Sequence, residues 1–291
     1  MAQIIRDPRV QDNIHEVDVS AHGWADRVRS LYEDGALVLL KGKRLDLDYA
    51  GLNALDFDIQ GPEPLLRKIK KFEEGAILAI DPDSLSEVGR LVFEQVFAAD
   101  RGRLRWFQEQ VRSGDAQIAT LYEAIFPTYR DFRRTYTWRF TQTLFENLHW
   151  DNFHKTERFH QVRIFCNIDR RPRLWRTSHS IELFAGEIYA SHNLRQWAEH
   201  PADTLNVGVN NKVLGGMQGA CLEGLPKHHI AFEQGDIWLA ETRIVAHQIY
   251  WGQRAIASMF YVDPESMDAP SKAFDARIAA LHARHGEAVP A

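Results

Sequence analysis

The sequence predicts an α+β fold: helices first, then a jelly-roll-like barrel, then a closing helix. Three observations carry this. Residues 84–124 hold apolar side chains at helical spacing, the pattern from Thr135 onward switches to alternation rich in β-branched and aromatic residues, and helical spacing returns after Asp263. The boundaries that follow are a mainly helical part over 1–134, a jelly-roll core over 135–265 and a C-terminal helix and tail over 266–291, all within one domain. With 291 residues and 45% hydrophobic content, the chain can bury a core of that size.

Residues 1–20 are polar and predict irregular chain. Trp24 to Tyr32 predicts a short helix, and Gly35-Ala-Leu-Val-Leu-Leu40 a buried strand ended by Lys41-Gly42. Ser84-Leu-Ser-Glu87 has the form of a capping box, and Val88, Leu91, Val92, Val96 and Phe97 follow at helical spacing, so a helix is expected over 84–112. A second helix is expected from Asp115 to about Ala124, stopped before Pro127. Thr135-Tyr-Thr-Trp-Arg-Phe-Thr-Gln-Thr143 then reads as a strand, and most ordered segments from there to Asp263 read likewise. The exception is Ser180 to Glu199, whose Leu183, Phe184, Ile188 and Trp197 suggest a helix or a long loop. His247 to Asp263 reads as strand, tight turn at Gly252, strand, and Lys272 to His282 as the last helix, closed near Gly286.

A net charge of −5 argues against a general nucleic-acid binder, whose phosphate contacts call for a basic excess. The two cysteines, Cys166 and Cys221, could form one bridge but do not make a disulfide framework. The first residues lack the apolar stretch of a signal peptide, and no apolar run approaches the ~20 residues that span a bilayer. The expectation is a soluble cytoplasmic protein, with peripheral contact at the inner membrane left open.

The chemistry concentrates at His149-Trp150-Asp151 and at His247. In extended chain, residues i and i+2 share a face, so His149 and Asp151 can grip one metal while Trp150 points away. A third ligand from a distant strand, His247, would complete the two-imidazole, one-carboxylate set of a non-haem Fe(II) centre and leave positions open for a co-substrate and O2. His-x-Asp by itself is a weak signal. A lone histidine in an apolar strand such as Ile244-Val-Ala-His-Gln-Ile249 is usually a hydrogen-bonded core residue, yet an apolar shell also suits a ligand whose metal must be screened from solvent. His154, His160, His228 and His229 raise the alternative of a zinc site, which the lack of cysteine partners and the opposed faces of adjacent strand residues disfavour.

Phe145-Glu-Asn-Leu-His149-Trp-Asp151-Asn-Phe153, Arg163-Ile-Phe-Cys-Asn-Ile-Asp169, Pro172-Arg-Leu-Trp-Arg176 and Gly235-Asp-Ile-Trp238 through His247 to Phe260-Tyr261 together resemble the Kdo 3-hydroxylases. These are Fe(II)/2-oxoglutarate-dependent dioxygenases that hydroxylate 3-deoxy-D-manno-octulosonic acid (Kdo) of the lipopolysaccharide inner core. The resemblance spans about residues 24–265, including the region from Tyr122 to Arg134 taken as helical. It departs from the family pattern at residues 152–155 and at Arg254. It implies a double-stranded β-helix, cupin-like barrel, Fe(II) held by His149, Asp151 and His247, 2-oxoglutarate as co-substrate with O2, and succinate and CO2 as products. Its substrate would be an acidic sugar, free or linked to lipid A at the membrane.

Arginines are the natural partners for both acids, because a planar guanidinium grips a carboxylate in a fork. Arg254, near the start of the last strand, is where such oxygenases often keep the cation for the far carboxylate of 2-oxoglutarate. Arg163, among apolar neighbours, is the second candidate, and Asn167 could add a hydrogen bond, although an Asn ending a strand is more often a turn former. Arg139, Arg173 and Arg176 are candidates for the substrate carboxylate against the bland reading of solvated barrel-edge cations. Lys68, Lys70, Lys71 and the stretch Arg130 to Arg134 read as solvated helix faces, which could alternatively meet membrane phosphates. Two further functions remain beside Kdo hydroxylation: hydroxylation of a free amino acid or other small acidic metabolite, and a barrel that binds without catalysing.

Overall fold

The computed structural model describes residues 2–83, 86–141, 143–144, 147–153, 158–216 and 225–286. Its strands are β1 (Gln3–Ile5), β2 (Ile14–Asp18), β3 (Leu37–Lys41), β4 (Phe72–Glu73), β5 (Asp131–Arg139), β6 (Thr143–Leu144), β7 (His160–Asn167), β8 (Arg173–Ser180), β9 (His228–Phe232), β10 (Ile237–Leu239), β11 (Val245–Gly252) and β12 (Ala255–Val262). Among the described residues they form two sheets, ordered β1-β9-β8-β11-β6 and β2-β3-β10-β7-β12-β5-β4. Pairing is antiparallel except where β2 joins β3. Inner-face aromatics of both sheets meet between them: Trp238 stacks on Phe232 at 3.8 Å and meets Trp175 edge-on at 5.3 Å. This is the jelly roll the sequence predicts.

Alternation along each strand divides its residues between two environments. On β12, Ile256, Phe260 and Val262 face the helices, while Ala255, Ala257 and Met259 face the opposite sheet. The helical layer comprises α1 (Trp24–Glu33), α2 (Tyr49–Ala54), α3 (Glu63–Lys70), α4 (Glu74–Leu78), α5 (Glu87–Gln95) and α6 (Arg101–Ile125). On α6, Leu104, Phe107, Val111, Ile118, Leu121, Tyr122 and Ile125 form the buried stripe, and Tyr122 stacks on Phe260 at 3.9 Å. Helices α7 (Ile181–Ile188), α8 (Asp203–Gly208) and α9 (Phe274–Gly286) build a second core around Trp150.

Several sequence expectations need correction. Residues 1–20 are not irregular: β1 pairs with β9 and β2 with β3, both edge pairings that a short polar segment does not advertise. The helix boundary expected between 112 and 115 falls instead at 96–100. There Ala98 and Ala99 take left-handed φ values of 53° and 58°, and Asp100 caps α6 by accepting from the amides of Gly102 and Arg103. Gly114 sits inside α6 because a Cβ there would lie 2.9 Å from the Trp138 ring. Ser86, rather than Ser84, accepts from the Gly89 amide to cap α5; Ser84 lies outside the described residues. Arg130 to Arg134 is not helical, since α6 stops at Ile125 and β5 starts at Asp131. Cys166 is buried, and Cys221 lies outside the described residues. Among the described residues no helix is long and apolar enough to cross a membrane.

Candidate metal centre

The segment carrying His149 is extended and exchanges two backbone hydrogen bonds with β11: His149 N donates to His247 O at 3.1 Å, and His247 N to His149 O at 3.0 Å. The residue-by-residue alternation expected of the tripeptide follows. Trp150 turns into the helical core, its indole donating to Ile244 O at 3.1 Å, while His149 and Asp151 turn to the inner face beside His247. Ligand atoms of the three lie within 4.8 Å of one another. Asp151 Oδ1 is 3.2 Å from His149 Nε2 and 3.8 Å from His247 Nε2.

Both rings are oriented from behind. Nδ1 of His149 lies 2.6 Å from Asn147 O, and Nδ1 of His247 lies 3.2 Å from Val245 O. A carbonyl only accepts, so each Nδ1 donates to it, which leaves the two Nε2 atoms, both turned toward Asp151 Oδ1, as the atoms that would ligate a bound metal. Trp175 lies against the His247 ring at 5.5 Å. Burial and the positive charges of His149 and Arg163 push the His247 imidazole down to about 3 against the pull of Asp151, so it stays neutral. Burial alone would raise the Asp151 carboxyl, but the Arg163 guanidinium and both imidazoles hold it well below the usual carboxylate range. A neutral His247 ring and an ionised Asp151 carboxylate are the protonation states that metal ligation requires, and with His149 Nε2 beside them the donor set fits a divalent cation such as Fe(II).

The triad opens into a cavity of about 430 Å³ between the sheets. That volume lies in the roughly 300–1,000 Å³ range of small-molecule sites. Its walls are Phe165, Trp175, Ile249, Ala255, Ala257 and Met259, and its cations are Lys71, Arg139, Arg163 and Arg173. Arg163 donates to Asp151 Oδ2. Arg139 pairs in register with Ala255, and Arg173 crosses over Gly252, where a Cβ would lie 2.5 Å from its Nη1; both therefore enter from the β11–β12 turn. Gly252 has no left-handed φ, so its role is room for Arg173 rather than the turn geometry expected from sequence.

The other candidates lie elsewhere. Arg254 lies in the turn just before β12 and points away from the cavity: Nη2 donates to Leu55 O at 2.7 Å and Nη1 lies 3.7 Å from Asp169. Asn167 spends its amide on backbone, donating to Arg171 O and to Phe232 O at the end of β9 and accepting from Asp169 N. Arg176 stacks over Tyr250 at 3.9 Å on the outer face of the smaller sheet. Sequence reasoning missed two contributors. Lys71, just past α3, lines the cavity instead of joining the solvated helix face, and Thr242, in the polar link between β10 and β11, donates to Asp151 Oδ2 at 2.6 Å.

No protein-family model and no curated protein matches the chain. Solved structures do match in fold. The apo structure of the Kdo hydroxylase KdoO, a non-heme Fe(II) alphaketoglutarate-dependent dioxygenase, superposes with a TM-score of 0.67 at 16% identity, covering 92% of this chain and 95% of that one. The same enzyme in complex with succinate and Fe(III), and with alphaketoglutarate and Fe(III), superposes equally well at 15% identity. The jelly roll described above is therefore the fold of that dioxygenase over nearly its whole length.

Proposed function

We propose that this chain is an Fe(II)/2-oxoglutarate-dependent dioxygenase that hydroxylates an acidic sugar, with Kdo of the lipopolysaccharide inner core, hydroxylated at C3, as the substrate it fits best. The observation that carries the reading is the His149–Asp151–His247 cluster, opening into a cavity ringed by four cations in a chain whose net charge is −5. An Fe(II) ion held by these three ligands supplies open positions for a 2-oxo acid and O2 and the oxidising power for C–H hydroxylation.

The chain's own residues do the rest. His149 and His247 offer fixed lone pairs, and Asp151 its charge. Arg173 and Arg139, at the turn end of the cavity, take the far carboxylate of 2-oxoglutarate in a charge-assisted grip. Their inner-face position favours them over Arg254, whose guanidinium is engaged with Leu55 O and Asp169. Phe165, Trp175 and Ile249 keep water from the reacting atoms. Lys71 stands ready for the carboxylate of the sugar, and Ala255 and Ala257 leave it room.

The test is 2-oxoglutarate turnover to succinate with Kdo–lipid A, free Kdo and free amino acids as acceptors. Stimulation by either Kdo substrate supports the proposal, and the pair distinguishes a lipid-linked from a free acceptor. Stimulation by an amino acid alone moves the protein to small-metabolite hydroxylation, and no turnover with any acceptor or in its absence moves it to a binding barrel.

A further inference from the structure

Asp151 is held by more than its place in the chain. Its Oδ2 accepts from Thr242 Oγ1 at 2.6 Å and from Arg163 Nη1, while Oδ1 faces the two imidazoles. The Thr242 hydroxyl is saturated in turn, accepting from Arg163 Nη1 at 2.9 Å and from Gln161 Nε2 at 3.0 Å. A guanidinium and an amide NH2 can only donate, so both lone pairs of that hydroxyl are taken and its single proton must go to Asp151.

What fixes the Gln161 amide is Glu241. Gln161 donates to it through Nε2 and through its backbone amide, the latter at 3.1 Å. Glu241 also accepts from the Arg243 backbone at 3.0 Å and from its Nε at 3.2 Å. Burial works against its charge, but Arg243 and His160 keep the carboxyl below its usual range. A buried carboxylate that only accepts leaves Gln161 one orientation, NH2 inward, and every link from Glu241 to Asp151 then has a fixed direction.

We propose that Thr242 is a positioning residue for the metal ligand Asp151: its hydroxyl, locked by Gln161 and Arg163, holds Oδ2 so that Oδ1 alone turns to the metal, and Glu241 sets the direction of the lock. This rests on the metal reading above. The hydrogen-bonded chain lies outside the ligand set itself, with Thr242 and Glu241 in the link between β10 and β11 and Gln161 and Arg163 on β7, so it ties that link and β7 to the site.

The experiment is Co(II) titration of the full-length protein, following both affinity and the visible Co(II) spectrum, on wild type, Thr242→Val, Thr242→Ser and Gln161→Met. Valine keeps the shape of threonine and removes the hydroxyl. It is expected to weaken Co(II) binding by roughly 10–100-fold, the usual cost of losing a partner behind a ligand, and to alter the spectrum as Asp151 changes its mode of binding. Serine restores both readouts, which a role in packing alone would not produce. Gln161→Met gives a smaller loss, because Arg163 still takes one lone pair. Thr242→Val with wild-type affinity and spectrum overturns the proposal, and if that variant does not fold, unchanged binding by Gln161→Met does so. A wild-type protein that takes up no Co(II) removes the metal reading and this inference together, whereas a tight-binding Thr242→Val removes only the inference.

Discussion

The two faces of the larger sheet are built from the same strands and differ in almost every chemical respect. Toward the helices β5, β7 and β12 present Trp138, Val162, Ile164, Ile256 and Phe260, all buried in one apolar core with the buried stripe of α6. Toward the other sheet the same strands present Arg139, Arg163, Phe165 and Ala257 around a cavity. One face maximises buried apolar contact; the other gives up contact to hold charge. The difference teaches that strand parity, more than distance along the chain, decides which arginine can act. Arg254 and Ala255 are neighbours in sequence, yet only Ala255 reaches the cavity.

The comparison breaks most completely at the metal. Asp151→Ala should abolish metal-dependent succinate formation while the far-UV circular dichroism stays native, because Asp151 serves the inner face and the helical face carries the fold. Retained turnover would mean that the metal has been placed wrongly.

On the apolar face the one buried acid of α6 offers the converse test. Asp115 accepts from the Trp138 indole at 3.0 Å, and burial pushes its carboxyl up to about 8 from an ordinary 3.8. The unfolded chain sheds that proton near pH 4 while the folded one keeps it until about pH 8. Stability therefore falls as pH rises through this window, by at most about 1.4 kcal/mol per unit. Asp115→Asn keeps the acceptor and removes the titration, so its advantage over wild type should grow from pH 5 to pH 8 in urea unfolding. Parallel pH profiles for the two proteins would contradict the assignment.

Arg173→Ala should raise the KM for 2-oxoglutarate by roughly 10–100-fold, as expected when a charge-assisted hydrogen bond of ~1.5–3 kcal/mol is lost. Arg254→Ala should leave that KM unchanged and lower the melting temperature instead, since its partners are Leu55 O and Asp169. The reverse pattern would restore the co-substrate anchor to the outer face. The smallest effect expected is that of Gly252→Ala, whose new methyl must displace Arg173 by a few tenths of an ångström or more. A several-fold rise in the same KM, roughly 1 kcal/mol, is expected, with little change in kcat.

The parts of the molecule legible in the sequence were those written in local spacing. His149 and Asp151 share a face because they are two apart in extended chain, and the strand–Gly–strand pattern around Gly252 is visible without coordinates. What stayed hidden depends on partners far away. On β12 both faces are apolar in sequence, so nothing local says that Ala255 and Ala257 line a cavity while Ile256 and Phe260 meet a helix. Strands β1 and β2 exist only because β9 and β3 offer them edges. Gly114, in the gap between the two helices expected from sequence, lies inside α6 and is room for Trp138, and Ala98 and Ala99, residues that seldom take left-handed φ, mark the true break without announcing it. Thr242 reads as a link residue; only the fold shows its hydroxyl on Asp151.

The central claim is that the inner face holds one metal and that 2-oxoglutarate binds there with it. Anaerobic calorimetry of the metal-free protein with Fe(II), followed by 2-oxoglutarate, tests this most directly. The account predicts one Fe(II) per chain, lost in Asp151→Ala, and 2-oxoglutarate binding that requires the metal and weakens in Arg173→Ala but not in Arg254→Ala. Fe(II) binding that survives Asp151→Ala, or 2-oxoglutarate binding indifferent to the metal, would contradict it.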